Sequence, residues 1–79
     1  MISPAQCRAA RALLNWTREQ LAEQSRVSKM TLADFETAKR RPYDRTLTDI
    51  RSALEGAGIE FIPENGGGAG IRFRERKAS

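Results

Sequence analysis

Residues 17 to 36 read TREQLAEQSRVSKMTLADFE, and the centre of this stretch leaves the chain few ways to fold. Apolar residues at helical spacing, Leu21 and Ala22 on one side and Leu32 and Phe35 on the other, mark two short helices. Thr17 and Gln20 form a capping box that opens the first, which lasts to about Gln24. Ser28 caps the second, which runs to about Glu36 or Thr37. Only Ser25, Arg26 and Val27 remain for the turn, too few to let the helices separate. The two must cross steeply and share one core through Leu21, Val27 and Leu32.

The flanking segments supply the rest of that core. Ser3-Pro4-Ala5-Gln6 opens an earlier helix, with Ser3 as the cap, Pro4 at the first helical position and Gln6 reaching back. It runs to about Leu14 and buries Cys7, Ala10 and Leu14, leaving Arg8 and Ala12 on other faces. Arg11 shares the buried side and needs a partner. Asn15-Trp16 breaks this helix. Lys39-Arg40-Arg41-Pro42 is a basic connector in which Pro42 biases Arg41 toward an extended backbone. A fourth helix, from about Asp44 or Thr46 to Leu54 or Glu55, buries Leu47, Ile50, Ala53 and Leu54, and Gly56 is its natural stop.

Beyond Gly56 the period changes from helix to strand. Ile59-Glu60-Phe61-Ile62 and Ile71-Arg72-Phe73-Arg74 alternate in twos around a glycine-rich connection, Pro63 to Gly70, and read as a β-hairpin. The glycine run is no phosphate cradle, because neither Gly-Lys-Ser nor Gly-Lys-Thr follows it and no helix opens after it. Glu75 to Ser79 reads as a frayed tail. The expected fold is mainly α, with four helices over residues 1–56 and a C-terminal β-hairpin over residues 57–79.

A chain of 79 residues buries a smaller share of its surface than a larger one, so one small core must hold it and an enclosed active site is not expected. One cysteine and no histidine exclude an internal disulfide, a Cys/His zinc site and a histidine-based triad. With no arrangement of nucleophile, base or metal ligands, the expectation is a protein that is not an enzyme and holds no cofactor or metal. Cys7 reads as a small apolar helix residue. No run has the length of a membrane span and the N-terminus lacks the apolar core of a signal peptide, so the expected setting is the cytoplasm, away from membranes. Fourteen Lys and Arg against ten Asp and Glu give a net charge of +4, which suits a polyanionic partner. The chain lacks the aromatic platforms usual for single-stranded RNA.

A short helix, a tight turn and a second helix with an exposed polar N-terminal face, set among two further helices, make the helix-turn-helix arrangement that enters a DNA major groove. Residues Ala5 to Glu55 resemble the Cro/C1-type (XRE-like) helix-turn-helix regulators of bacteria and their phages. The resemblance is carried by Arg11, by Trp16-Thr17-Arg18-Glu19-Gln20-Leu21-Ala22, by Val27-Ser28-Lys29-Met30-Thr31-Leu32, by Glu36 and Arg41-Pro42, and by the helix of Leu47, Ile50 and Leu54. It implies a sequence-specific regulator of transcription whose partner is double-stranded DNA. It also gives Arg11 its partner, Glu36, at the end of the recognition helix. Two features depart from the family pattern. Ala38 stands where the family places glycine, so either the recognition helix runs on or Ala38 is strained. The usual fifth helix is replaced by the strand pair, so the family's common dimer surface cannot be assumed.

On the recognition helix, the face opposite Leu32, Phe35 and Glu36 comprises Lys29, Met30, Ala33, Asp34 and Thr37, the expected base-reading set. Lys29 can reach a guanine edge or a phosphate, Asp34 can accept from a cytosine amino group, Met30 can touch a thymine methyl, and Ala33 permits close approach. Other readings stand beside these: Met30 as a gap-filler in the core, and Asp34 as a solvated charge repelled by phosphates. The resemblance carries phosphate contacts over to Thr17 and Arg18, at a helix N-terminus whose free amides and dipole favour an anion. Ser28, Thr31, Lys39, Arg40, Arg41 and Arg45 complete the phosphate set.

An isolated two-stranded hairpin is marginal in water and its edges invite pairing. Ile59, Phe61, Ile71 and Phe73 make one apolar face, while Glu60, Arg72 and Arg74 point the other way. This face can pack on the chain's own helices, or the strands can pair between two copies. The second is the expectation, with Ile59, Phe61, Ile62, Ile71 and Phe73 at a twofold dimer interface. The function expected is that of a repressor acting as a homodimer on a palindromic operator, with its own promoter as a candidate location. The alternative is an antitoxin-like or adaptor protein that holds a protein partner through the hairpin as well as DNA.

Overall fold

The computed structural model describes residues 2–63 and 70–74. Four helices, α1 (Pro4–Leu14), α2 (Arg18–Ser25), α3 (Lys29–Glu36) and α4 (Asp44–Gly56), precede two antiparallel strands, β1 (Ile59–Ile62) and β2 (Gly70–Phe73). This is the expected architecture. Most of the strand connection and the tail expected to fray lie outside the described residues.

The helix starts follow the expected chemistry. The Ser3 hydroxyl accepts from the Gln6 N–H at 3.1 Å while the Gln6 side chain accepts from the Ser3 N–H at 3.0 Å, and Thr17 and Gln20 repeat this box at 3.1 and 2.8 Å. Ser28 caps α3 by accepting from the Thr31 N–H at 3.0 Å. The ends share a device that composition hides, since α1, α2 and α3 are all closed by a left-handed residue that is not glycine: Asn15 (φ 60°), Arg26 (φ 63°) and Ala38 (φ 62°). At Ala38 the N–H donates to the Phe35 carbonyl and the Lys39 N–H to the Asp34 carbonyl, the paired bonds of a Schellman end. The recognition helix therefore stops at Glu36 with Ala38 in the strained conformation. α4 runs through Gly56, past its expected end, and among the described residues the glycine with positive φ is Gly58 (107°) rather than Gly56.

The α2–α3 turn is closed from within. The buried Ser25 hydroxyl donates to the Leu21 carbonyl at 2.7 Å and accepts from the Val27 N–H at 3.2 Å, so a polar residue sits in the core with its bonds made. Around it Cys7, Ala10, Leu21, Val27, Leu32, Phe35, Leu47, Ile50 and Leu54 are buried together. Leu14 and Ala53, expected inside, are half-buried at the margin.

The strands pair Ile59 with Phe73, Glu60 with Arg72, Phe61 with Ile71 and Ile62 with Gly70. Only Ala57 and Gly58 separate α4 from β1, so the hairpin folds back on the helices. Ile59 is fully buried and Phe61 nearly so, both within the core of their own chain. This corrects their expected place at a dimer interface: β1 packs against α4, with the Arg51 guanidinium 5.1 Å from the centre of the Phe61 ring. The second strand is tied down by Gln6, whose side-chain amide donates to the Gly70 carbonyl at 3.1 Å, and by Arg74, whose guanidinium donates to the Glu55 carbonyl at 2.8 Å. Ile62 and Ile71 are half-buried, and Phe73 remains 48% exposed.

Candidate nucleic-acid interface

The recognition helix α3 buries Leu32, Phe35 and Glu36 and turns its other side outward. Met30 is 75% exposed, which removes its reading as a core residue. Lys29 is exposed, and Ala33 and Asp34 are half-buried on the same side. Two shallow concavities meet along this side, one running to Trp16, Thr17 and Arg18 at the start of α2, the other to Ser28, Thr31, Arg40 and Pro42; Met30 and Asp34 line both. Thr37 is exposed, but its hydroxyl donates to the Ala33 carbonyl at 2.8 Å and so is turned back onto its own helix.

Behind α3 lies the group that holds it in place. The fully buried Glu36 carboxylate accepts at Oε2 from Arg11 Nε (2.8 Å) and Cys7 Sγ (3.1 Å), and at Oε1 from Arg11 Nη2 (2.8 Å) and Arg18 Nε (2.9 Å). All four of its lone-pair positions are used. Arg11 spends its remaining nitrogen on the Trp16 carbonyl at 3.0 Å, and Arg8 donates to the Glu36 carbonyl. The Arg11–Glu36 pair is the one the family resemblance implies. Burial pushes the Glu36 carboxyl up, and the hydrogen bonds from Arg11, Arg18 and Cys7 outweigh it, holding the group down at about 2. Burial, with the hydrogen bond to Glu36, pushes the Cys7 thiol well above its ordinary value.

The phosphate candidates are distributed unevenly. Thr17 caps α2 with its hydroxyl, and Ser28 and Thr31 bond each other at 2.9 Å at the head of α3. Arg18, an expected phosphate contact, gives its Nε to Glu36, with the side chain 37% exposed. Arg41 pairs with Asp44 at 3.3 Å and lines a separate cleft beside Ile2, Pro4 and Leu47, while Arg40 borders both that cleft and α3. Lys39 and Arg45 are exposed.

Three features escaped the sequence. Lys29 donates to Glu19 Oε2 at 3.1 Å across the two helices of the motif, a link ten residues apart that no helical spacing rule predicts. Arg18 reaches Glu36 across the turn for the same reason. Tyr43 is 86% exposed at the start of α4, which has no side-chain cap, and its place after Arg41-Pro42 was the available signal. Among the described residues no cluster of metal-binding side chains forms and no helix is long and apolar enough to cross a membrane.

A helix-turn-helix family model, HTH_3, of the Cro/C1 type, matches residues 8–59, from within α1 to the first residue of β1. Among curated proteins nothing matches the sequence.

Proposed function

The chain belongs to the Cro/C1-type helix-turn-helix family of DNA-binding regulators, and on that premise we propose that it is a repressor acting as a homodimer on a palindromic operator, its own promoter included, inside a bacterial cell. The observation that carries the reading is the outward side of α3, where exposed Lys29 and Met30 stand beside Asp34, and the two concavities that meet there reach Arg18 on one side and Arg40 on the other. Selection of duplexes from a random pool, followed by footprinting, tests it: one enriched sequence with twofold symmetry is expected, and no enrichment would reject it.

Within the site, Lys29, Met30, Ala33 and Asp34 read bases, while Arg18, Arg40 and Arg45 hold phosphates. Arg45→Ala should weaken binding to all duplexes alike and lower the salt slope by about one, whereas Met30→Ala should alter preference by about 1–3 kcal/mol at one base pair. Indistinguishable effects from the two would contradict the division.

The dimer reading rests on β2. The Arg74 N–H donates to the Gly58 carbonyl, and alternation along an antiparallel pair then turns the backbone groups of Ile71 and Phe73 away from β1. Pairing of β2 with its copy would satisfy them and join two domains about one DNA turn apart. Exposed Phe73 favours a second reading, in which this edge takes a different protein. Sedimentation at micromolar concentration without DNA should give a dimer; a monomer that co-purifies with a stoichiometric partner would select the second reading.

A further inference from the structure

We propose that Glu36, besides anchoring α3, is a positioning residue for DNA binding, acting through Arg18, whose guanidinium it holds as a fixed fork for a backbone phosphate. The inference rests on the reading of α2 and α3 as a DNA surface. It begins from charge: Arg11 alone neutralises the Glu36 carboxylate through two hydrogen bonds, so Arg18 is surplus to that pair, and the three side chains Arg11, Arg18 and Glu36 together carry one net positive charge. Glu36 and most of Arg11 are enclosed, with side-chain exposures of 0% and 19%, so the surplus lies on Arg18 at 37%, on the wall of the concavity shared with Lys29, Met30 and Asp34.

Geometry then sets what the surplus charge can do. Glu36 Oε1 takes Arg18 Nε at 2.9 Å, and the two terminal nitrogens have no hydrogen-bond partner among the described residues. Those nitrogens form the edge of a guanidinium that matches two oxygens of one phosphate. A free surface arginine must lose rotamer freedom when it grips an anion; Arg18 has already given up part of it to Glu36, inside the folded protein. A lysine offers a point charge without a fork and cannot use the carboxylate in the same way.

The test compares full-length wild type with Arg18→Lys, Arg18→Gln, Glu36→Gln and the Arg18→Gln/Glu36→Gln double variant, titrated with the selected operator over a range of salt. Arg18→Lys should bind about three- to tenfold more weakly with its salt slope kept, and Arg18→Gln should also lose about one unit of slope. Glu36→Gln should weaken DNA binding beside wild type but change nothing further when Arg18 is already Gln, while its loss of stability persists in both backgrounds. If Glu36→Gln is too unstable to titrate, the Arg18 Nε–H resonance of the wild type decides: it should stay protected in free and DNA-bound protein, and its loss in the complex would overturn the proposal. Equal binding by Arg18→Lys and wild type would also overturn it, as would a change confined to one base pair, which would make Arg18 a base reader. A wild type that binds no duplex would instead defeat the underlying reading.

Discussion

At the scale of single residues, the Glu36 carboxylate joins three helices, accepting on α3 from Cys7 and Arg11 of α1 and from Arg18 of α2. A buried pair contributes little over an apolar replacement, but losing one member strands the other. Arg11→Ala should therefore destabilise the fold toward the lower end of about 3–5 kcal/mol, because Arg18 and Cys7 still reach the carboxylate, and urea denaturation followed by circular dichroism measures it. A stable Arg11→Ala protein with altered base preference would contradict the structural role. The pH dependence has a definite sign. The folded Glu36 carboxyl, at about 2, lies below the usual value of 4.5, so its contribution is complete above that value and is lost as pH falls from about 4.5 toward about 2. With no histidine in the chain, the urea midpoint should be nearly flat between about pH 5 and 8 and drop through that acid window.

At the scale of elements, the caps that open α1, α2 and α3 were legible and the helix ends fell within a residue of their expected places, but the left-handed residues that close those helices were not all legible. Ser3, Thr17 and Ser28 announce their helices because a cap is a local bond, made within three residues. Of the ends, Asn15 tolerates a left-handed backbone, but Arg26 and Ala38 adopt it only because the next element is fixed by packing. Ala38→Gly should remove that strain and raise stability by about 0.5–1 kcal/mol, the steric relief outweighing the extra freedom of glycine in the unfolded chain. Differential scanning calorimetry reads the result as a higher Tm, and an unchanged or lower Tm would show that the surrounding bonds already absorb the strain.

At the scale of the whole molecule, the hairpin shares the helices' core. Ile59 is fully buried beside α4, and Ile59→Ala should lose about 2–5 kcal/mol, as for a large aliphatic removed from a packed interior. Removing residues 57–79 should likewise unfold the helices, visible as lost helical circular dichroism; a truncated chain with an unchanged melting curve would make the hairpin a separate unit. Sequence by itself determined the four helices, the strand pair, the helix-turn-helix identity and the side of α3 that faces outward, because caps, periodicity and turn length are relations between residues a few positions apart. The tertiary structure alone decided that Arg18 joins Arg11 on Glu36, that Lys29 is held by Glu19, that Ala38 is left-handed, and that Ile59 and Phe61 face inward. Each of these depends on groups brought together across turns and between elements, where steric fit and shared charge, rather than local spacing, choose the partner.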